Sequence, residues 1–446
     1  MKGKATDRLD RGAGIDPEGR PPAPHWRPAT RAAFRFCLVY LGLFALATQV
    51  AGSLFLIPTG SFRGFGQLWP MREITLWTAS RVFGALSPLD FSGANGESLF
   101  FWVQTFWILV LAIVATGVWT VLDRRRAHYV AAHKWFRLFV RLGLASQMLE
   151  YGMTKVIPTQ FAAPSLNVLV TPTGELPLNT LLWTSIGAAP AYQIFTGCAE
   201  LLGGILLLIP RTTMAGALVS LADLVQVFVL NMTYDVGLKL TSLHLILLAL
   251  FLLAPDFRRL ARFLFLNQAT GASTGPPLFR AARANRIALA LQILFGLYLL
   301  GTYAYLNVGY WYAAGGGAPR SPLYGVWDVE RLWVDGETGP PSLNDYDRRW
   351  RRVIFDAPDR MAFQRTDDSF ARYGALVDVG NSTLSLTKGD SREWKSEFVF
   401  RRPADNRVIL EGEMDGYEIY AELERVEFDT FRLLNSHFRW VRPDAP

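Results

Sequence analysis

The apolar residues of this chain follow two patterns. Between residues 33 and 308 they come in long runs, at 33–57, 99–122, 136–157, 190–209, 212–232, 238–254 and 287–308. Crossing the hydrocarbon of a bilayer takes about 20 helical residues. Each run has that length except 238–254, which needs flanking residues such as Lys239 to snorkel. After residue 320 the period changes. Tyr417-Glu-Ile-Tyr-Ala-Glu-Leu-Glu424 largely alternates, and Arg360–Arg365, Ser382–Leu386 and Arg407–Gly412 are short strands between turn signals. About eight or nine such strands in roughly 120 residues predict an antiparallel barrel or sandwich.

The expected fold class is therefore an α-helical integral membrane bundle of about seven transmembrane helices, followed by a C-terminal all-β, barrel-like domain. The expected segments are a disordered cytoplasmic tail over 1–32 and two transmembrane helices with an outer loop over 33–132. A four-helix membrane unit spans 133–263, and a cytoplasmic loop and the seventh helix span 264–312. A Gly-rich linker over 313–322 leads to an extracytoplasmic β domain over 323–446. Within the outer connections, Leu68 to Leu86 is amphipathic and suits the interface, while 158–189 is placed to cap the mouth of the bundle.

Composition supports this picture. The chain is 51% hydrophobic and only 19% charged, too apolar for a wholly soluble protein. Its net charge of +7 could point to nucleic acid, but the bases cluster beside apolar runs. Arg124, Arg125, Arg126, Lys134 and Arg137 follow the second run, and Arg258, Arg259, Arg262, Arg280, Arg283 and Arg286 follow the sixth. Residues 156–189 hold no Lys or Arg. The positive-inside rule then gives seven crossings of the inner membrane, with the N-terminus cytoplasmic and the C-terminal domain outside. The first 32 residues lack the apolar core of a signal peptide. Cys37 and Cys198 fall in different apolar runs and read as inert buried thiols. The expected partners are the lipid bilayer and redox partner subunits, with no nucleic acid.

Candidate chemistry lies in the apolar runs, where an ionisable group is costly unless it is paired or faces protein. Gln193, Thr196, Gly197, Glu200, Gly203 and Gly204 share one helical face. Glu150, Tyr151 and Lys155 share another, beside Gln147 and Thr154. The fifth run brings Asp223 and Gln226, with Tyr234 and Asp235 at its outer end, and the sixth brings Lys239, Ser242 and His244. These residues form a candidate polar seam. It either fastens helices by interhelical hydrogen bonds or holds a quinone, a lipid or a proton path. Lys155, Lys239 and His244 are the candidate partners of Glu150, Glu200 and Asp223. Only His244 among five histidines lies well inside a run, so neither a metal nor a haem is expected.

The segment from about 134 to 260 resembles the DoxX-like family. The resemblance rests on Glu150-Tyr-Gly-Met-Thr-Lys155, Phe195-Thr-Gly-Cys-Ala-Glu-Leu-Leu-Gly-Gly204, Pro210-Arg-Thr-Thr213 and Asn231-Met-Thr-Tyr-Asp-Val-Gly-Leu-Lys239. It implies a four-helix membrane fold and, by analogy with some relatives, a part in quinone-coupled or redox-defence complexes. This chain adds two helices before that unit, one after it, and the outer domain. In the outer domain, Gly325-Val-Trp327 near the start and Arg439 near the end resemble a lipocalin, in which a late arginine stacks over the indole at the barrel floor.

The function expected from these features is that of an accessory or ligand-binding subunit, for quinone or lipid, in a membrane oxidoreductase system. A non-enzymatic scaffold displaying a lipocalin-like ligand-binding domain is the first alternative. A membrane enzyme with Lys155 as an intramembrane base, similar to the vitamin K-dependent carboxylase-like bundles, is the second.

Overall fold

A computed structural model describes residues 25–56, 64–85, 89, 98–271, 277–337, 349–389, 391–435, 440 and 441, with 391–393 described by backbone alone. Most of the expected tail, residues 1–24, lies outside the described residues, as does Arg439.

Among the described residues, six helices are long and apolar enough to cross a membrane: Pro28–Ala47, Leu99–Leu122, Pro190–Leu208, Pro210–Thr233, Lys239–Leu264 and Ala282–Ala313. In chain order the helices are α1 (Pro28–Ala47), α2 (Gln49–Leu54), α3 (Met71–Arg81), α4 (Leu99–Leu122) and α5 (Val130–Val156). Then follow α6 (Leu166–Val170), α7 (Leu178–Gly187), α8 (Pro190–Leu208), α9 (Thr213–Thr233), α10 (Lys239–Leu253), α11 (Phe257–Leu264) and α12 (Ala282–Ala313).

Several boundaries differ from those expected. Helix α1 starts inside the supposed tail, because Pro28 suits the first turn of a helix and polar residues are tolerated there. Trp26 also packs edge-on against Phe34. Helix α10 begins at Lys239, and with the turn and α11 after it makes one candidate span, Lys239–Leu264. The Gly-rich linker is folded: Gly315 and Gly317 donate backbone bonds to Tyr310 and Trp311 at the end of α12.

Helix α5 corresponds to the third apolar run but is too charged to count among the six. Its charges face protein groups instead of lipid. Arg137 meets Asp256, Arg141 meets Thr213 and Gln292, Glu150 meets Tyr303, and Lys155 meets Glu200. Leu144, Ala145, Met148 and Leu149 between them are buried. A helix shielded on this scale can carry ionisable residues that a lipid-facing helix cannot.

The chain divides into two compact units: Met1–Met148 with Leu202–Val229 and Gly237–Leu299, and Leu149–Leu201 with Leu230–Val236 and Leu300–Pro446. The first is helical throughout. Its polar contacts include Gln49 and Ser53 with Gln147, and Arg35 with Tyr129 and Thr120.

The second unit contains a closed barrel of eight antiparallel strands in sequence order. These are β1 (Gly325–Val334), β2 (Trp350–Ala357), β3 (Arg360–Arg365), β4 (Phe370–Asp378), β5 (Thr383–Lys388), β6 (Ser391–Ala404), β7 (Arg407–Met414) and β8 (Tyr417–Arg425). β1 pairs with β8 to close it. Alternate residues fill the interior, among them Trp327, Phe355, Phe363, Phe398, Leu384 and Leu410. Trp350 stacks on Phe363 at 3.8 Å between ring centroids. An eight-stranded barrel is about wide enough for side chains alone to fill it.

The outer face of β1–β3 is buried too. Val326 and Ile354 pack under Leu166, Leu169 and Val170 of α6, together with Phe428 and Phe431. Asp356 accepts from the backbone N–H of Leu166 at 3.1 Å and from Asn167 at 3.3 Å. Gln364 donates to the Val170 carbonyl at 3.2 Å. The connection 158–189, expected to cap the bundle, thus clasps the barrel with its first short helix. Its second, α7, joins a small core of Phe161, Leu182, Ile186 and Val236.

Candidate functional site

The last two turns of α5 carry Glu150, Tyr151 and Lys155, and α8 carries Gln193 and Glu200. Two glycines bring these helices into backbone contact. A Cβ on Gly152 would lie 2.9 Å from the Gly197 carbonyl oxygen, and one on Gly197 would lie 2.8 Å from that of Gly152. At this distance the two side chains beside the contact meet directly. Lys155 Nζ donates to both carboxylate oxygens of Glu200, at 2.9 and 2.7 Å. The side chains are 8% and 7% exposed. The Tyr151 ring lies 5.7 Å from the same ammonium, within cation–π range.

Neighbouring contacts hold this pair in place. Tyr303 of α12 donates its hydroxyl to Glu150 at 3.3 Å. The Gln193 amide, oriented by its hydrogen bonds, donates to the Phe161 carbonyl and accepts from the Phe161 N–H, both at 3.1 Å. Thr159 donates to Asn307 of α12 at 2.5 Å. Of the candidate partners for Glu200, the structure selects Lys155. Lys155 and Glu200 match one another's charge, and five potential ligand-contacting groups lie within a few turns: an acid–base pair, two phenols and a second acid.

The other seam residues lie on the elements that follow α8. His244 meets Tyr40 and Phe44 of α1. Its Nδ1 donates to the Leu240 carbonyl at 2.7 Å, and Nε2 lies 2.8 Å from the Tyr40 hydroxyl. Phe44 stacks on the imidazole at 3.6 Å. The partner that the structure gives Glu200 is Lys155 and not His244. On α9, Asp223 is half-buried and Gln226 is exposed. Tyr234 packs on the core of Phe161 and Val236. Asp235 is exposed in a left-handed conformation, and Lys239 is half-buried at the start of α10. Among the described residues no group of three or more His, Cys, Asp or Glu side chains converges as a metal site.

At the barrel floor, Trp327 is 1% exposed and its indole N–H donates to the Leu323 carbonyl at 2.9 Å. Gly325 has a φ of 151°, and a Cβ there would come 3.4 Å from the indole nitrogen. The basic residue across from Trp327 is Arg425, its partner on β8. Among the described residues, outside which Arg439 lies, the strand series closes at Arg425. Beyond it, Val426 donates to the Val326 carbonyl and the chain turns onto the outer face.

Several buried polar residues escaped the sequence reading, and two of them make a pair. Arg141 of α5 and Gln292 of α12 are 7% and 8% exposed and bond each other. The signal was present, since both lie inside apolar runs. Arg141 blends with the basic residues before it, and Gln292 is one amide in a long apolar run.

Six membrane-crossing helices and a closed eight-stranded domain define a multi-pass membrane protein with a folded β module. The chain is 35% identical over 127 residues to the uncharacterized protein YwoB of Bacillus subtilis (strain 168), a match covering 28% of this chain and 76% of YwoB. It belongs to the YwoB family. No family model matches the chain, and no solved structure matches it.

Proposed function

We propose that the chain is a DoxX-like accessory subunit of a membrane oxidoreductase system, with Lys155 and Glu200 as the heart of a quinone or lipid site. The observation that carries this reading is the bidentate Lys155–Glu200 pair, buried between helices and faced by the Tyr151 ring. A quinone offers two carbonyl acceptors and a flat ring. The ammonium of Lys155 can donate to the first, and the Tyr151 ring can pack on the second. With no ligand bound, Glu200 keeps the cation from standing uncompensated, which would cost several kcal/mol.

The same reading puts the protein in the inner membrane with its N-terminus cytoplasmic and its barrel outside, on the evidence of the Lys/Arg distribution. The clasp between α6 and the barrel supports it. Both must lie on one side, and four crossings, an even number, separate them: α8, α9, α10–α11 and α12.

The test is to purify the protein in mild detergent and identify extracted quinones and lipids by mass spectrometry. Wild type should carry a ligand that Glu200→Gln and Lys155→Met lose while the barrel stays folded. Identical extracts from all three proteins would reject the reading.

The scaffold reading keeps one supporting observation. The barrel interior is filled with apolar side chains, so the domain offers its outer surface and not a cup. An enzyme with Lys155 as base would first have to displace Glu200, which holds the ammonium through both oxygens.

A further inference from the structure

We infer that Arg141, Thr213 and Gln292 form a binding site for a phosphate group at the edge of the membrane, on residues distinct from Lys155 and Glu200. Arg141 Nη1 donates to Thr213 Oγ1 at 3.2 Å, and Nη2 donates to Gln292 Oε1. The three side chains are 7%, 6% and 8% exposed, so this is a built interior cluster. Arg141 Nε is buried and has no acceptor. Both acceptors that the guanidinium does have are neutral. Among the described residues no carboxylate pairs with it.

The surroundings add positive charge. One turn earlier on α5, Arg137 reaches Asp256 at 3.4 Å, and Arg259 reaches the same carboxylate at 3.8 Å. Arg259 Nε is also buried without an acceptor. Arg137 and Arg259 thus share Asp256 while Arg141 has no acid, an excess of two positive charges among the three guanidiniums. A guanidinium stays protonated in proteins, so Arg141 cannot relieve its burial by losing charge. An anion can.

Depth and geometry select the anion. Arg137 also donates to the Leu252 carbonyl at the end of α10, and Thr213 is the first residue of α9. These helix ends, with Arg258, Arg259 and Arg262 of α11 just beyond Leu252, mark the membrane edge. Arg141 lies one turn deeper along α5 than Arg137, about 6 Å at 1.5 Å per residue. The headgroup layer adds about 5–8 Å to each side of the hydrocarbon, so a lipid phosphate is within reach. The fork of a guanidinium matches two oxygens of one phosphate. The start of α9, a 21-residue helix, favours negative charge beside Thr213. A lipid headgroup and free inorganic phosphate share this chemistry.

The experiment uses the full chain in zwitterionic phosphatidylcholine–detergent micelles at fixed ionic strength. Thermal unfolding is followed while phosphatidylglycerol is added in one arm and inorganic phosphate in the other. In wild type, one of them raises the midpoint saturably. Phosphatidylglycerol acting alone identifies a lipid source, and inorganic phosphate acting alone identifies a soluble one. Arg141→Lys, which keeps the charge but loses the fork, should raise the half-effect concentration about tenfold, the loss of one charge-assisted hydrogen bond. Arg141→Gln should abolish the response, while Arg258→Gln, at an exposed position, should keep it. If Arg141→Gln fails to fold, Arg141→Lys and Thr213→Val carry the comparison. No response in wild type, or an equal response in wild type and Arg141→Lys, overturns the site.

Discussion

Lys155 and Glu200 meet through both carboxylate oxygens because Gly197, three residues before Glu200, presents no side chain to Lys155. A Cβ at Gly197 would lie 2.7 Å from Lys155 Cβ. The backbone contact and the ion pair are therefore one feature, and the glycine sets it. Gly197→Val should force α5 and α8 apart and cost about 1–3 kcal/mol, as overpacking does. Unfolding in detergent measures this, and an unchanged midpoint would mean that the helices do not touch here.

Removing one charge of the pair should hurt more than removing both. Glu200→Leu strands the Lys155 ammonium among buried groups and should destabilise by about 3–5 kcal/mol. Glu200→Gln still accepts a hydrogen bond and should lose less. The double variant Lys155→Met with Glu200→Leu should recover most of the loss, because a well-packed apolar pair can replace a buried ion pair. A double variant as unstable as Glu200→Leu would refute a simple two-body pairing.

Much of this architecture was legible in the sequence, and the gaps have physical causes. Arg360–Arg365 is read as a strand with its observed bounds, because turns flank it and its apolar content is dense. Its alternation is obscured because both faces are buried: Met361 and Phe363 face the interior, while Ala362 and Gln364 lie under α6. The clasp itself is a tertiary event. Nothing local in Leu166–Val170 says that Asp356, far along the chain, will bond it. Barrel closure is likewise a pairing of β1 with β8 across the whole domain, and only geometry separates a barrel from a sandwich. Glu200 was identifiable as a buried carboxylate from its glycine-lined face. Its partner was one of three candidates until the Gly152–Gly197 contact chose Lys155.

Trp327 anchors the barrel floor, and its replacement should unfold the β domain selectively. Trp327→Ala removes a fully buried indole and should cost about 3–5 kcal/mol. Trp327→Phe keeps most of the volume and loses the bond to the Leu323 carbonyl, for about 1 kcal/mol of that loss. The β-type circular dichroism signal of the whole protein reports both. Equal effects from the two substitutions would show that packing is not what the indole supplies.

The clasp predicts protease resistance. Asp356 holds both the first backbone N–H of α6 and the Asn167 amide. Asp356→Ala should free α6 from the outer face of β2 and expose 158–177 to cleavage that wild type resists. The barrel interior is untouched by this change, so the domain should stay folded. Equal cleavage rates in the two proteins would mean that Asp356 does not hold the segment.

The clasp also constrains topology. A segment of the 158–189 connection and the barrel bond to one another, so they occupy one side of the membrane whatever the charge bias says. If α12 crosses the membrane, as its length and apolarity allow, the connection between α11 and α12 faces the other side. In a background with Cys37 and Cys198 replaced by alanine, Thr173→Cys and Asp405→Cys should react with an impermeant thiol reagent from the same side. Arg280→Cys should react only from the opposite side. All three positions are exposed, so reactivity reports location and not burial. Labelling of Thr173→Cys and Asp405→Cys from different sides would break the clasp and the even count of crossings together. Labelling of all three from one side would remove α12 as a membrane span.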